Sequence, residues 1–217
     1  CPAGAPTKGD TTKAKALFQQ GLQDEKLTLA TFPQIKITYE SNSSLLDDEI
    51  TVMRQEWQQV LGVTVTTQVL SFNSLLQQLA MTGCAQTNLS KCQNQGLQMW
   101  AAAWGADYPD PQDWTTLQFD KNAPNNQWNY GQNLGATASA QQQLQTQMKQ
   151  ADVEQNQATR FSMYNHIEQQ LVNDVAWMPM DQRSSSHVLK AYVVGQTSNA
   201  VDLIPPDDWS KIYITSH

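Results

Sequence analysis

The sequence is poor in charged residues and has no excess of positive charge. Asp, Glu, Lys and Arg account for 15% of the 217 residues, and the formal net charge is −7. Nucleic-acid-binding proteins present clustered Lys and Arg on one face, so this composition argues against nucleic acid as a partner. Apolar runs are also short, because none approaches the roughly 18 residues that a membrane-spanning helix requires. We therefore expect no transmembrane helix within this sequence.

Cysteine and histidine are scarce, at three residues each. No histidine lies in a context that suggests a nucleophile, and Cys84 and Cys92, eight positions apart with no His nearby, do not fit a zinc site. We expect no metal and no other cofactor. The two cysteines flank a polar loop, which leaves two interpretations: a disulfide in an extracytoplasmic compartment, or free thiols in a cytosolic loop. We favour the disulfide, worth roughly 2.5 kcal/mol by loop entropy, with Cys1 left over.

Apolar residues make up 40% of the chain and include seven Trp, enough to fill a core. Alternating and helical spacings of these residues follow one another along the first hundred positions. Helices between successive strands imply parallel pairing with right-handed crossovers, so we predict an α/β fold with a mixed, mostly parallel sheet and flanking helices. The predicted elements are a helix from Thr11 or Thr12 to Gly21, a strand at Ile35–Tyr39, a helix from Ser43 or Ser44 to Val60, a strand at Val63–Val69, a helix at Phe72–Leu79 and a strand at Leu97–Trp104.

The second half of the chain contains a glutamine-rich stretch, Gln141–Gln150, which we interpret as exposed positions of a helix. Two helices are predicted here, Ala138–Gln150 and Asn156–Asn173. Their apolar positions recur at helical spacing, so we expect the two helices to pack together. The packing residues would be Leu144, Met148, Phe161, Tyr164, Ile167 and Leu171, and strands are predicted at Val175–Met180, His187–Val194 and Trp209–Ile214.

The stretch Leu97–Phe119 is the most informative part of the sequence. Almost every position of Leu97–Trp104 is apolar, which is typical of a strand buried on both faces, so we place this strand in the centre of the sheet. A turn with two prolines and three carboxylates follows, and a helical spacing then resumes at Trp114. A strand, a charged turn and a helix in this order commonly place ligand-binding groups at the end of a sheet.

The three carboxylates of the turn have different expected roles. Asp110 precedes Pro111, which suits the first helical position, so Asp110 is predicted to be the N-cap and Asp113 a partner of the helix dipole. Loss of the cap would cost about 1 kcal/mol. Asp107 has no capping role. With Trp104 before it and Tyr108 after it, Asp107 suits a pocket for a cationic or amine-bearing ligand.

Five segments, in order, resemble the family 5 solute-binding proteins of ABC importers, which carry dipeptides, oligopeptides, nickel chelates and some sugars. The most specific segment is WGADYPDP, in which Trp104, Asp107, Tyr108, Asp110 and Pro111 resemble the family's tryptophan, aspartate and Asp-Pro turn. The other similar segments are Lys13–Phe18, Leu61–Thr66, Asn129 with Tyr130, and Arg160–Val175 followed by Trp177–Pro179.

The resemblance implies a type II periplasmic-binding-protein lobe over residues 1–183 and a segment, 184–217, that would return to a first lobe. Family members are roughly twice this long, so we expect the sequence to be excised from a longer protein, with Cys1 an accident of the boundary. The implied partners are a small solute, most simply a peptide, the membrane permease and the missing N-terminal lobe. The implied location is extracytoplasmic, with the full-length protein anchored to the membrane.

The resemblance also implies ligand contacts. In peptide-binding members the aspartate that matches Asp107 receives the α-ammonium group of the ligand, and Trp104 would form an apolar wall. Tyr108 is expected either at the ligand or in the core, while Asn129 and Tyr130 are secondary candidates, with a turn role as the alternative for Asn129. Some peptide binders carry a base where this chain has Ala101, and Arg183 is the residue we nominate instead.

Three classes of function therefore compete. We favour a non-enzymatic solute-binding lobe that captures a peptide and delivers it to the permease, with a sugar or a metal chelate as alternative solutes. The second class is a hydrolase that uses Asp107 and Asp110 as acid and base. The third is a structural or adhesion module without a small ligand.

Overall fold

A computed structural model describes residues 9–40, 44–87, 96–132, 137–182, 186, 188–196 and 209–216, with backbone alone for 83–87. The chain divides into two compact units, residues 1–103 and 104–217, and the sequence shows no linker at that point. The predicted division at 183/184 falls on residues outside the described ranges and stays a prediction. No helix in these ranges is long and apolar enough to cross a membrane.

The first unit contains a three-stranded parallel sheet of β1 (Ile35–Glu40), β2 (Val65–Leu70) and β3 (Met99–Ala101), in the order β2-β1-β3. Ile35 of β1 aligns with Val65 of β2, and Ile37 of β1 aligns with Met99 of β3. Helices connect the successive strands, which confirms the predicted β-α-β-α-β order and the α/β class. The elements are α1 Thr11–Asp24, β1 Ile35–Glu40, α2 Ser44–Leu61, β2 Val65–Leu70, α3 Phe72–Thr87 and β3 Met99–Ala101.

The predicted position of the third strand is wrong. The described strand covers Met99–Ala101 rather than Leu97–Trp104, and it pairs with β1 alone, so it lies at an edge and β1 lies in the centre. Ala102 and Ala103 are exposed. A run of alanines resembles a buried strand in its apolar character, but each methyl group offers so little surface that burial is not required.

Successive side chains of the strands point to opposite faces of the sheet, and two apolar clusters result. One contains Ile37 and Tyr39 of β1 together with Ile50 of α2, and Phe18 of α1 packs against it. The other contains Leu75 and Leu79 of α3 with Leu97, and Trp100 packs against it. The helix α1 begins at the N-cap Asp10, which accepts a hydrogen bond from the Lys13 amide at 2.9 Å. The predicted cap, Thr11 or Thr12, is therefore wrong, because the cap lies one residue before Thr11.

The second unit is built around two long helices, α5 (Ala138–Val153) and α6 (Gln157–Asn173), with a short 3-10 helix and the one-turn helix α4 (Thr116–Phe119) before them. The predicted packing of α5 against α6 is confirmed except at Phe161, which is 45% exposed. The other five predicted contact residues are buried with Phe119 and Tyr130 in one cluster. The elements are the 3-10 helix Pro111–Trp114, α4 Thr116–Phe119, α5 Ala138–Val153, α6 Gln157–Asn173, β4 Val193–Val194 and β5 Tyr213–Ile214.

The strands predicted after α6 are much shorter or absent. Residues 175–180 form no strand, because Val175 has φ +55° and turns the chain away from α6. Trp177 then packs against the Phe119 ring, with the ring centroids 5.7 Å apart. Among the residues after α6 that the structure describes, Val193–Val194 and Tyr213–Ile214 pair as an antiparallel ribbon.

The glutamine-rich stretch is not uniformly exposed, which corrects the sequence interpretation. Gln145 is 3% exposed, and its Nε2 atom donates to the carbonyl oxygens of Phe119 and Tyr130, both at 2.8 Å. Gly131 has φ +69°, and a Cβ atom there would lie 2.4 Å from the Gln145 amide. The helix α5 therefore holds the segment 119–131 by specific amide hydrogen bonds.

Candidate functional site

The loop formed by residues 104–114, called the motif loop below, ends in the 3-10 helix and lies wholly in the second unit. Asp110 is the N-cap of the 3-10 helix, as predicted. Its backbone is extended, and its Oδ1 atom accepts a hydrogen bond from the Gln112 amide at 2.9 Å. Pro111 follows at the first helical position, where its missing N–H costs nothing. The local sequence is therefore sufficient to start the helix here.

Asp110 has a second partner on α6. The Arg160 guanidinium donates from Nη1 to Asp110 Oδ2 at 2.6 Å and from Nη2 to Asp110 Oδ1 at 2.7 Å. Hydrogen bonding to Arg160 lowers the pKa of the Asp110 carboxyl below its ordinary value of 3.8. A carboxylate held ionised in this way is a poor proton donor, so Asp110 is poorly suited to be the acid of the hydrolase interpretation.

The Arg160 side chain is held by further contacts. Its Nε atom donates to the Ala151 carbonyl at 3.1 Å, and Nη2 lies 3.2 Å from the Tyr164 hydroxyl. That hydroxyl donates to Asp152 Oδ1 at 2.7 Å. Burial, followed by this hydrogen bond to Asp152, raises the pKa of the Tyr164 phenol. The motif loop is thus connected to both long helices through one polar network.

Asp113 is more than the predicted dipole partner. It does lie in the first turn of the 3-10 helix, but its side chain is fully buried. Its Oδ2 atom accepts from the Trp104 indole Nε1 at 3.2 Å and from the Asp107 amide at 2.9 Å. The buried Asp113 carboxylate therefore links Trp104 and Asp107, at the start of the motif loop, to the 3-10 helix at its end. Sequence reasoning missed this role, because a carboxylate after Asp-Pro is already explained by the helix dipole.

Asp107 and Tyr108 differ in their surroundings. The Asp107 side chain is exposed and has no hydrogen bond or ion pair within the described ranges. Tyr108 is half-buried, and its hydroxyl donates to Gln112 Oε1 at 2.9 Å. Burial, then the nearby Asp113 charge, raises the pKa of the Tyr108 phenol. The motif loop therefore presents one unpaired carboxylate beside the half-buried rings of Trp104 and Tyr108.

Asn129 and Tyr130 are positioned for structural roles. Asn129 has φ +58°, the left-handed conformation of a turn residue. Tyr130 is 3% exposed, and its hydroxyl donates to Asp174. Burial and this hydrogen bond raise the pKa of the Tyr130 phenol. Contact of either residue with a solute stays a prediction, as does that of Arg183, which lies outside the described ranges.

Three features lie apart from the motif loop or concern other predicted sites. Cys92 and the side chain of Cys84 lie outside the described parts of the chain, so the disulfide stays a prediction. Within the described parts, no group of three or more His, Cys, Asp or Glu residues is arranged to hold a metal ion. An open surface pocket of about 440 Å³ between α5 and α6 is lined by Gln147, Gln150, Ser162, Met163 and His166, none of which belongs to the motif loop.

Comparison with solved structures finds proteins of similar fold. OppA of Burkholderia pseudomallei has a TM-score of 0.67 and 20% identity, over 99% of this chain and 36% of that protein. The ABC transporter substrate-binding protein CtaP of Listeria monocytogenes has a TM-score of 0.65 and 18% identity, over 100% of this chain and 39% of that protein. OppA of Listeria monocytogenes, solved with a bound peptide, has a TM-score of 0.59 and 20% identity, over 96% of this chain and 34% of that protein.

These similarities show the fold and confirm the expected lobe of the periplasmic-binding-protein type. The chain spans little more than a third of the length of those proteins. No curated protein matches the sequence. The model of the family described as bacterial extracellular solute-binding proteins, family 5 Middle, matches residues 2–126, more than half of the chain and the whole motif loop. This chain therefore belongs to the family 5 bacterial extracellular solute-binding proteins.

Proposed function

We propose that this chain forms part of the solute-binding receptor of an ABC importer, with Asp107 as the contact for an amine group of the solute. The observation that carries the proposal is the exposed, unpaired Asp107 carboxylate. It lies in a loop that the family match includes and that Asp110 and Asp113 hold in place. Asp110 and Asp113 already have protein partners, so Asp107 is the carboxylate of the loop that is available to a ligand.

A charge-assisted hydrogen bond between Asp107 and an ammonium group would contribute about 1.5 to 3 kcal/mol in a site that excludes water. The Trp104 ring, fixed by its indole hydrogen bond to Asp113, would add apolar and cation-π contact. An amine next to an apolar side chain is the chemistry of a peptide N-terminus, so a peptide is the solute that we propose.

Two similar structures are consistent with a peptide. One is OppA of Listeria monocytogenes bound to peptide, and another is the murein tripeptide-binding protein MppA of Escherichia coli. We extend that property to this chain as a proposal. A receptor of this kind would act outside the cytoplasm, deliver its solute to a membrane permease without chemical change, and require no cofactor. Arg183 is the proposed partner of the peptide carboxylate, and a further lobe of the receptor would complete the site.

The test is Asp107→Asn in the complete receptor polypeptide, with calorimetric titration of trialanine and of N-acetyl-trialanine. We expect trialanine to bind about 10- to 150-fold more weakly to the variant, from the energy above. The melting temperature should stay nearly unchanged, because the Asp107 side chain has no protein partner to lose. Asp48→Asn is the matched control, since Asp48 is also an exposed carboxylate but lies on α2.

The outcomes separate the solute classes. Weaker binding of trialanine to the Asp107 variant, with Asp48→Asn unaffected, supports an amine contact. If the receptor binds a sugar or a metal chelate and Asp107→Asn has no effect, the peptide proposal is wrong while the family assignment stands. If trialanine binds equally to all three proteins, Asp107 is not the amine contact.

A further inference from the structure

We infer that Asp113 is a positioning residue for the solute site: it holds Trp104 and Asp107 in the arrangement that receives an amine. This inference rests on the function proposed above. It starts from one atom, Asp113 Oδ2, which accepts from the Trp104 indole Nε1 at 3.2 Å and the Asp107 backbone amide at 2.9 Å. The apolar wall and the amine contact of the proposed site are therefore fixed by the same carboxylate oxygen.

Few other hydrogen bonds restrain this part of the motif loop. Within the described ranges, the Asp110 amide donates to the Tyr108 carbonyl at 2.9 Å, and the Tyr108 hydroxyl donates to Gln112. Both lie on the C-terminal side of Asp107. On the N-terminal side, a Cβ atom added at Gly105 would contact nothing within 4 Å, so no neighbouring side chain packs against Gly105 in that direction. The contacts of Asp113 thus span the stretch 104–107.

The chemical type of residue 113 supports a specific role. A fully buried carboxylate costs several kcal/mol in lost solvation, and a hydrophobic residue would avoid that cost. Asp113 is 0% exposed, and its Oδ1 atom has no hydrogen-bond partner within the described ranges. An apolar side chain cannot accept a hydrogen bond, whereas the Oδ2 atom of Asp113 accepts two. The acceptor geometry therefore explains why a polar residue is present here.

The charge of Asp113 also acts on the motif loop. After burial, it is the largest cause of the raised pKa of the Tyr108 phenol. A negative potential at this place would favour a cation beside Asp107 over a neutral group. Positioning and charge can be separated by experiment, because Asn keeps a carbonyl acceptor at nearly the same place but carries no charge.

The experiment compares Asp113→Asn and Asp113→Leu in the complete receptor polypeptide, with two readouts. The first is the NMR resonance of the Trp104 indole N–H, measured with ¹⁵N-labelled tryptophan and identified by its loss in Trp104→Phe. The second is the preference for trialanine over N-acetyl-trialanine in calorimetric titration. The matched control is Asp120→Asn, since Asp120 is also a buried carboxylate but pairs with Lys149 at 3.0 Å rather than with the motif loop.

We expect Asp113→Leu to shift the Trp104 resonance toward that of an unbonded indole and to lower the preference for the free amine about tenfold or more. Asp113→Asn should keep the resonance near its original position and keep the preference within about threefold. Asp120→Asn should lower stability and change neither readout. If Asp113→Leu does not fold, Asp113→Ser serves instead, because its shorter side chain cannot reach both donors.

Three results would overturn the inference. One is an unchanged indole resonance in Asp113→Leu or Asp113→Ser. Another is an unchanged amine preference in the same variant. The third is loss of the preference in Asp113→Asn with the resonance retained, which would show that charge and not positioning is responsible. If the receptor binds neither peptide, the proposed function fails, while the indole resonance still tests whether Asp113 holds Trp104.

Discussion

Breaking the ion pair between Asp110 and Arg160 should destabilise the second unit by more than the loss of a helix cap. The cap alone accounts for about 1 kcal/mol. The pair adds two short hydrogen bonds between charged groups, and the side chains are only 28% and 19% exposed, so solvent screens them weakly. Charge-assisted hydrogen bonds contribute about 1.5 to 3 kcal/mol. We therefore expect Asp110→Ala to cost about 2 to 4 kcal/mol.

A double-mutant cycle with Asp110→Ala and Arg160→Ala, followed by urea unfolding, isolates the pair from the cap. The coupling free energy should be about 1.5 to 3 kcal/mol, because the cap and the Arg160 contacts to Ala151 and Tyr164 cancel in the cycle. The same cycle on Asp120 and Lys149 is the control. Lys149 is 53% exposed, so that coupling should stay below about 1 kcal/mol.

The pH dependence provides a second check on the same pair. Arg160 lowers the pKa of Asp110 in the folded protein below the ordinary 3.8, so folding favours the ionised carboxylate. This stabilisation is fully present above the unfolded pKa and is lost as pH falls through the lower folded pKa. The coupling should therefore be undiminished at pH 5 and disappear only well below pH 3.8. A coupling no larger than that of the control pair, or one already lost near pH 5, would refute the reasoning.

Three further predictions concern other parts of the chain. Burial and Asp174 raise the pKa of Tyr130 in the folded protein, so the stability that Tyr130 contributes is present below the pKa of the unfolded chain, about 10, and is lost as pH rises above that pKa. Tyr130→Phe should therefore flatten the decline of the urea midpoint between pH 9 and 11. Cys84 and Cys92 should resist alkylation without reductant in mass spectrometry, and modification of both would contradict the disulfide. The 217-residue chain alone should bind trialanine weakly, because it covers little more than a third of the similar receptors and still bears most of the entropic cost of immobilising a ligand. A submicromolar dissociation constant in calorimetric titration would disprove this.

Some features of the fold followed directly from local patterns. The alternation of apolar residues at Ile35–Tyr39 predicted β1, and their helical spacing from Ser44 predicted α2. Both predictions were possible because a few neighbouring residues are enough to set the spacing of apolar positions in a strand or a helix. The pairing of Asp110 with Pro111 predicted the cap for the same reason. The strand at Leu97–Trp104 was overestimated, because alanine is apolar enough to suggest burial and too small to enforce it.

The sequence by itself therefore determined the order of the helices and strands in the first unit, the start of the 3-10 helix that ends the motif loop and the membership of the family, all of which depend on residues close together in the chain. Only the tertiary structure decided that β3 lies at the edge of its sheet, that Asp113 is buried against Trp104 and that Gln145 supports the carbonyls of Phe119 and Tyr130. Arg160 meets Asp110 across 50 positions. Such contacts depend on which surfaces come together when the chain folds, and the spacing of residues along the chain carries no record of that.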